Sequence, residues 1–169
     1  MYAVLTYLAV QSPLGWGVPQ FRLSEAVTVL ACLTPAAIPG LAIGSAIANM
    51  SSVAAFGTVG LLDVVFGSLG TLVGAVWSWR FRQRTAIALA GPVVSNALIV
   101  PAYLPVMLKA GGVTDIPFLG ISLQSSWPVV YLFGVVTVGI GQAVVVYGLG
   151  WPLLAALRRM RLPGLQDGR

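Results

Sequence analysis

From Trp127 to Leu157 the chain carries no charged side chain, and the runs near 59–79 and 86–108 hold one acid, Asp63, between them. A straight helix needs about 20 apolar residues to cross the hydrocarbon of a bilayer, so each of these runs is long enough to span it. A water-soluble fold has no use for such lengths. With 58% of its residues hydrophobic and 8% charged, against roughly 25% charged in typical globular domains, the chain lacks the polar residues to coat a soluble core. Its mean hydropathy is +0.95. These features predict an all-α integral membrane protein.

Shorter apolar runs near 1–12, 23–33 and 36–50 bring the expected total to about six spans in one compact bundle. The first run is short, so its span is expected to be truncated, or the start to lie upstream. The runs flanking "LTPAAIPG" read either as two tilted helices joined by a proline turn or as a buried re-entrant hairpin. The last run is over-long and is expected to tilt or break at "GLGWP", where Gly148, Gly150 and Pro152 weaken a helix. The division is a transmembrane domain over 1–157 and a basic tail over 158–169.

The net charge of +5 does not point to nucleic acid, because the arginines stand at the ends of apolar runs. "RFRQR" (Arg80, Arg82, Arg84) and "RRMR" (Arg158, Arg159, Arg161) are two spans apart, which puts them on one side, the cytoplasmic one by the positive-inside rule. Both termini then fall inside. Seven of the nine basic residues lie there, while Glu25, Asp63 and Asp115 lie outside.

Several chemistries lack their parts. The chain has no histidine and a single cysteine, Cys32, which removes Ser–His and Cys–His nucleophile pairs and any intrachain disulfide. There is no phosphate-binding loop of the G-x-x-x-x-G-K-[ST] type and no cluster with metal-ligand spacing. An intramembrane aspartyl protease needs two mid-span aspartates, and only Asp63 comes near. The expectation is a protein that is not an enzyme and holds neither cofactor nor metal. Small residues recur at helix-packing spacing in "GLAIG" (Gly40, Gly44) and "GTLVG" (Gly70, Gly74), read first as packing within the bundle.

Polar side chains at membrane depth are costly, so each is a functional hypothesis. Gln20, Arg22, Glu25, Asn49, Asp63, Asn96, Gln124 and Gln142 form the set, and span counting lets them converge in the outer half of the bundle. Carboxylates and amides suit a small planar ligand rich in donors, since a carboxylate accepts two parallel N–H bonds from a fork-shaped donor. Other readings stand beside this one. Arg22 and Glu25, three apart, form an ion pair or a ligand grip; Asp63 is a helix N-cap or a site residue; Asn96 and Gln142 are interhelical bonds or ligand contacts.

Five blocks, "QFRLSEAVTVL", "TPAAIPGLAIGSAIAN", "LLDVVFGSLGTLVGA", "PVVSNALIVPAYLP" and "GQAVVVYGLGWPL", run in order over about residues 2–154. Together they resemble the QueT family, substrate-binding (S) components of energy-coupling factor (ECF) transporters. The resemblance implies a six-helix bundle in a prokaryotic cytoplasmic membrane that captures a queuosine precursor, 7-aminomethyl-7-deazaguanine, or a related deazapurine from outside. It implies partners too: a transmembrane coupling subunit and two cytoplasmic ATPases, whose ATP hydrolysis topples the S component. By position it brings Gln20, Arg22, Ser24 and Glu25 from one block, Asp63, Ser68 and Thr71 from another, and Asn96 from a third. The family's last block is expected to read "GE" where this chain has Gly141–Gln142, and an A-x-x-x-A contact on the first helix is not seen. Glu25 and Asp63 are expected to grip the base, Asn96 and Gln142 to complete its hydrogen bonds, and Trp16, Phe21, Tyr103 or Trp127 to stack on the ring. The alternatives are an S component for a different vitamin, a scaffold or assembly protein in which Arg22–Glu25 is structural, and a secondary transporter acting alone, against which the lack of inverted repeats speaks.

Overall fold

The structure is a computed structural model that describes residues 2–4, 6, 22–112, 115–116, 121–122 and 127–160. Its first complete element, α1 (Leu23–Cys32), is wound as a 3-10 helix over all ten residues. Runs of that winding beyond three or four residues are uncommon, because the i→i−3 bonds are poorly aligned. Here the Thr28 hydroxyl donates to the Glu25 carbonyl three residues back, at 2.6 Å. Its side chains divide between two clusters: Val27 and Ala31 pack with Tyr2, Leu41 and Ala75, while Val29 and Cys32 pack with Ala88, Leu89, Val146 and Leu154. Eight of the ten residues are buried, so α1 is the central rod of the bundle.

The proline stretch after α1 is a turn between two helices. Thr34 donates its N–H to the Leu30 carbonyl and Ala37 to that of Thr34, and α2 (Ala37–Phe56) follows directly. Pro39 falls in its first turn, where an amide N–H would have no intrahelical partner. At 20 residues, about 30 Å, α2 outruns the apolar stretch that ends near 50. Its last turns hold because Ser51 returns its hydroxyl to the Ala48 carbonyl and Ser52 bonds across to Asp63. The helix stops at Gly57, whose φ of 61° suits a residue without a Cβ.

A π turn, Asp63–Gly67, leads into α3 (Ser68–Arg80). Asp63 thus lies inside a helical segment with its side chain turned to neighbouring helices, which corrects its reading as an N-cap. The 26-residue α4 (Thr85–Ala110) contains Pro92, Pro101 and Pro105. Pro92 has no N–H to give the Ala88 carbonyl, and the Ser78 hydroxyl of α3 takes that place at 2.9 Å. Gly74 lets the two helices meet here: a Cβ on it would lie 2.7 Å from Pro92 Cα. Gly70 and Gly74 therefore do pack within the bundle, whereas Gly40 has nothing near it and only Gly44, against Tyr2, behaves alike.

Beyond α4 an antiparallel ladder of two short strands, β1 (Asp115–Ile116) and β2 (Ile121–Ser122), pairs Asp115 with Ser122. Then α5 (Trp127–Val145) passes through a π turn (Val146–Gly150) into α6 (Trp151–Arg159). The expected break at "GLGWP" is instead a change of winding. The π turn ends just before Pro152, which cannot close the α-helical bond to Gly148, and Gly150 admits Val29 of α1, 2.8 Å from where its Cβ would stand.

Among the described residues three helical stretches are long and apolar enough to cross a membrane: Ala37–Gly60, Thr85–Ala110 and Trp127–Arg159. Their outward side chains, such as Ile43, Ile47, Leu132, Val136 and Ile140, are exposed and apolar, as a lipid-facing surface requires. Among the described residues the fold is all-helical apart from its short ladder, with the apolar surface of a membrane protein. Arg158 of α6 donates to Thr85 Oγ1 at 2.9 Å and to the Arg82 carbonyl at 3.1 Å. The two arginine clusters therefore share one end of the bundle, and Lys109 lies at the opposite end of α4.

Candidate functional site

Two polar layers lie inside this apolar frame, each built around one carboxylate. On α4 Asn96 lies about 17 Å along the axis from Thr85, and Tyr103 about 27 Å, at 1.5 Å per residue. The layer that includes Asn96 is near the middle of the bundle. The one that includes Tyr103 is in the half remote from the arginines.

The outer layer is closed on itself. Asp63 Oδ1 accepts from the Tyr103 hydroxyl at 2.7 Å and Arg22 Nη2 at 3.3 Å. Its Oδ2 accepts from the Ser52 hydroxyl at 2.6 Å and the same guanidinium nitrogen at 3.4 Å. A carboxylate offers about four acceptor sites, so protein donors use all of them. Asn49 is spent here as well, its Nδ2 donating to the Asp63 backbone carbonyl at 2.9 Å. Gly67 allows the crowding, since a Cβ there would lie 2.6 Å from Asn49 Nδ2 and 2.7 Å from Asp63 Oδ1.

The inner layer is open. Glu25 is 0% exposed, and its Oε1 accepts from the Tyr2 hydroxyl. Its Oε2 has no donor among the described residues. The amides of Gln142, from α5, and Asn96, from α4, face this carboxylate. Neither completes a hydrogen bond to Oε2, and Gln142 Oε1 itself has no partner among the described residues. The hydroxyls of Ser24 and Ser68 are likewise buried without partners among the described residues. Gly70 makes room for the Asn96 amide, whose Oδ1 is 2.6 Å from the place of a Cβ. Beside the layer, Thr71 donates to Ser45 Oγ at 3.0 Å.

The pairing of Arg22 corrects the sequence expectation. Three-residue spacing pairs side chains only within a helix, and Arg22 sits outside α1, with φ −86° and ψ 92°. Its side chain reaches Asp63 on another element, 3.3 Å away, and not Glu25. Asp63, expected to grip the base, has its acceptors met by Tyr103, Ser52 and Arg22. Tyr103 is a donor to Asp63, its ring tilted against Phe66 at 6.2 Å, and so is not placed as a stacking platform. Trp127 is 56% exposed and stacks on Tyr131 at 4.9 Å at the remote end of the bundle, where an amphipathic ring suits the lipid–water interface. Gln20, Gln124, Trp16 and Phe21 lie outside the described residues.

The structure thus brings together Glu25, Asn96 and Gln142 in one layer, and Arg22, Asn49, Asp63 and Tyr103 in the other. Sequence reasoning missed Tyr2, Ser45 and Ser52. Hydroxyls in apolar runs are too common to stand out, and no local spacing links Tyr2 to a residue 23 positions on.

Comparison with protein-family models gives one match, to the family described as QueT transporter, over residues 1–159. The chain belongs to that family. Curated proteins and solved structures give no match.

Proposed function

We propose, taking membership of the QueT transporter family as the premise, that this protein is the substrate-binding component of an ECF-type importer. Its ligand is 7-aminomethyl-7-deazaguanine or a related deazapurine, taken up from the side remote from the arginines. The observation that carries the reading is the Glu25 carboxylate, fully buried in an apolar bundle, with one oxygen that has no donor among the described residues and two side-chain amides beside it. Such a group is costly to leave unmet, and a ligand that donates to it offsets that cost only when bound. Glu25 Oε2 is an acceptor, so the ligand presents at least one donor to it, and the Gln142 amide beside it offers a donor and an acceptor edge. The ring N–H and exocyclic amine of a deazaguanine are such donors, and an aminomethyl ammonium is a further one. Because Gln142 is neutral, Glu25 supplies the negative charge of this layer.

The partners follow from the same reading. A binding component without a phosphate-binding loop needs ATPases to release its ligand inward, through a membrane-embedded coupling subunit. The arginine-rich end faces the cytoplasm of a prokaryotic cell. The test is a melting curve of the detergent-solubilised protein with and without 7-aminomethyl-7-deazaguanine. Saturating ligand at about 100 times its Kd raises stability by about 2.7 kcal/mol, a clear upward shift. A melting temperature that no deazapurine or vitamin moves rejects the reading and favours a scaffold role.

A further inference from the structure

We infer that Asp63 is a positioning residue: through Arg22 it holds α1 in its 3-10 winding and so aims the Glu25 carboxylate at Asn96 and Gln142. This inference rests on the proposed reading of the Glu25 layer as the ligand site, and it assigns Asp63 a part other than ligand contact.

The connection is continuous. Ser52 and Tyr103, both buried, fix the two oxygens of Asp63, and Asp63 holds the Arg22 guanidinium. The Arg22 carbonyl then accepts the Glu25 N–H at 2.9 Å, which closes the first turn of α1. At its other end α1 is seated by Val29 against Gly150 and by Cys32 in the apolar cluster around Leu89 and Val146. The rod is held at both ends, one polar and one apolar.

Winding decides where Glu25 points. Ten residues rise about 20 Å as a 3-10 helix and about 15 Å as an α-helix. With the Cys32 end seated, relaxation to α winding draws Arg22 back by about 5 Å, beyond reach of Asp63. A 3-10 helix turns 120° per residue and an α-helix 100°. Over the seven steps from Cys32 to Glu25 the two therefore differ by roughly 140°, and α winding carries the carboxylate away from Asn96 and Gln142. The ion pair braces the less common winding, and that winding places the charge.

Glu25 is the only glutamate in the chain, so protein carrying 13C at the glutamate carboxyl reports on this one group by NMR. The experiment compares the full-length wild type with Asp63→Asn and Arg22→Lys in detergent, each measured with and without 7-aminomethyl-7-deazaguanine and analogues lacking one donor. Asp63→Asn is expected to move the ligand-free Glu25 resonance although Asp63 does not touch it. It should also weaken every analogue by the same factor, about tenfold. Arg22→Lys, which keeps a cation beside Asp63, is expected to retain most of the wild-type resonance position and affinity. An unmoved resonance in folded Asp63→Asn overturns the inference, and so does an affinity loss confined to ligands with one particular donor, which would make Asp63 a contact. If Asp63→Asn does not fold, Ser52→Ala and Tyr103→Phe loosen the same carboxylate, and the same two outcomes decide. Should the wild type bind no base, the functional reading falls while the ligand-free resonance still tests the brace.

Discussion

Ser78→Ala is expected to cost more stability than a typical hydroxyl deletion in a membrane helix, and the excess should vanish when Pro92 is replaced. Ser78 is fully buried and donates to the Ala88 carbonyl at 2.9 Å, the acceptor that Pro92 leaves unserved within α4. Side-chain hydrogen bonds between membrane helices average about 0.6 kcal/mol and reach about 1.7, because separated helices usually find other partners. Here they do not, since an isolated α4 still contains Pro92. The expected cost therefore lies near the top of that range, about 1.5 kcal/mol. In the Pro92→Ala background the new N–H serves Ala88, and Ser78→Ala should cost about 0.5 kcal/mol. The coupling is then about 1 kcal/mol, readable from reversible unfolding of the four proteins in mixed micelles with increasing dodecyl sulfate. Pro92→Ala keeps the Cα that packs on Gly74, so the helix contact survives the change. Equal costs in the two backgrounds would refute the reasoning.

Gly70→Ala places a Cβ 2.6 Å from Asn96 Oδ1 and should lower affinity for the deazapurine severalfold while shifting the melting temperature little, because the flexible end of the amide yields before the backbone; titration and melting of one preparation check it. Tyr2→Phe removes the donor to Glu25 Oε1 and should destabilise the protein by about 1.5–3 kcal/mol, measured in the same micelle unfolding assay. Trp127→Ala, at an exposed position, should leave affinity within about twofold of wild type, and a larger loss in the titration would return Trp127 to the site.

Much of the architecture was legible because the bilayer simplifies the problem. Span-length apolar runs predict helices, and the placement of "RFRQR" beside the C-terminal arginines is realised in the Arg158 bonds to Thr85 and Arg82. Gly70 and Gly74 likewise pack as their spacing suggests, although Gly40, in a pair of the same spacing, packs against nothing. The winding was not legible. Nothing in "LSEAVTVLAC" distinguishes a 3-10 helix from an α-helix, and the π turns at Asp63–Gly67 and Val146–Gly150 depend on contacts with other helices. The division of the two carboxylates was hidden for a related reason. Which acid keeps a free oxygen depends on Ser52, Tyr103 and Tyr2, residues whose hydroxyls only the tertiary fold brings to their partners.

The central claim is that Glu25 is a ligand-binding carboxylate, and calorimetric titration of wild type and Glu25→Gln with 7-aminomethyl-7-deazaguanine tests it most directly. The substitution keeps shape and one acceptor but removes the charge. It should weaken binding by at least about tenfold, the loss expected for a hydrogen bond to a charged group, while the protein still inserts and stays monodisperse. A Glu25→Gln protein that binds the base as tightly as wild type would contradict the account.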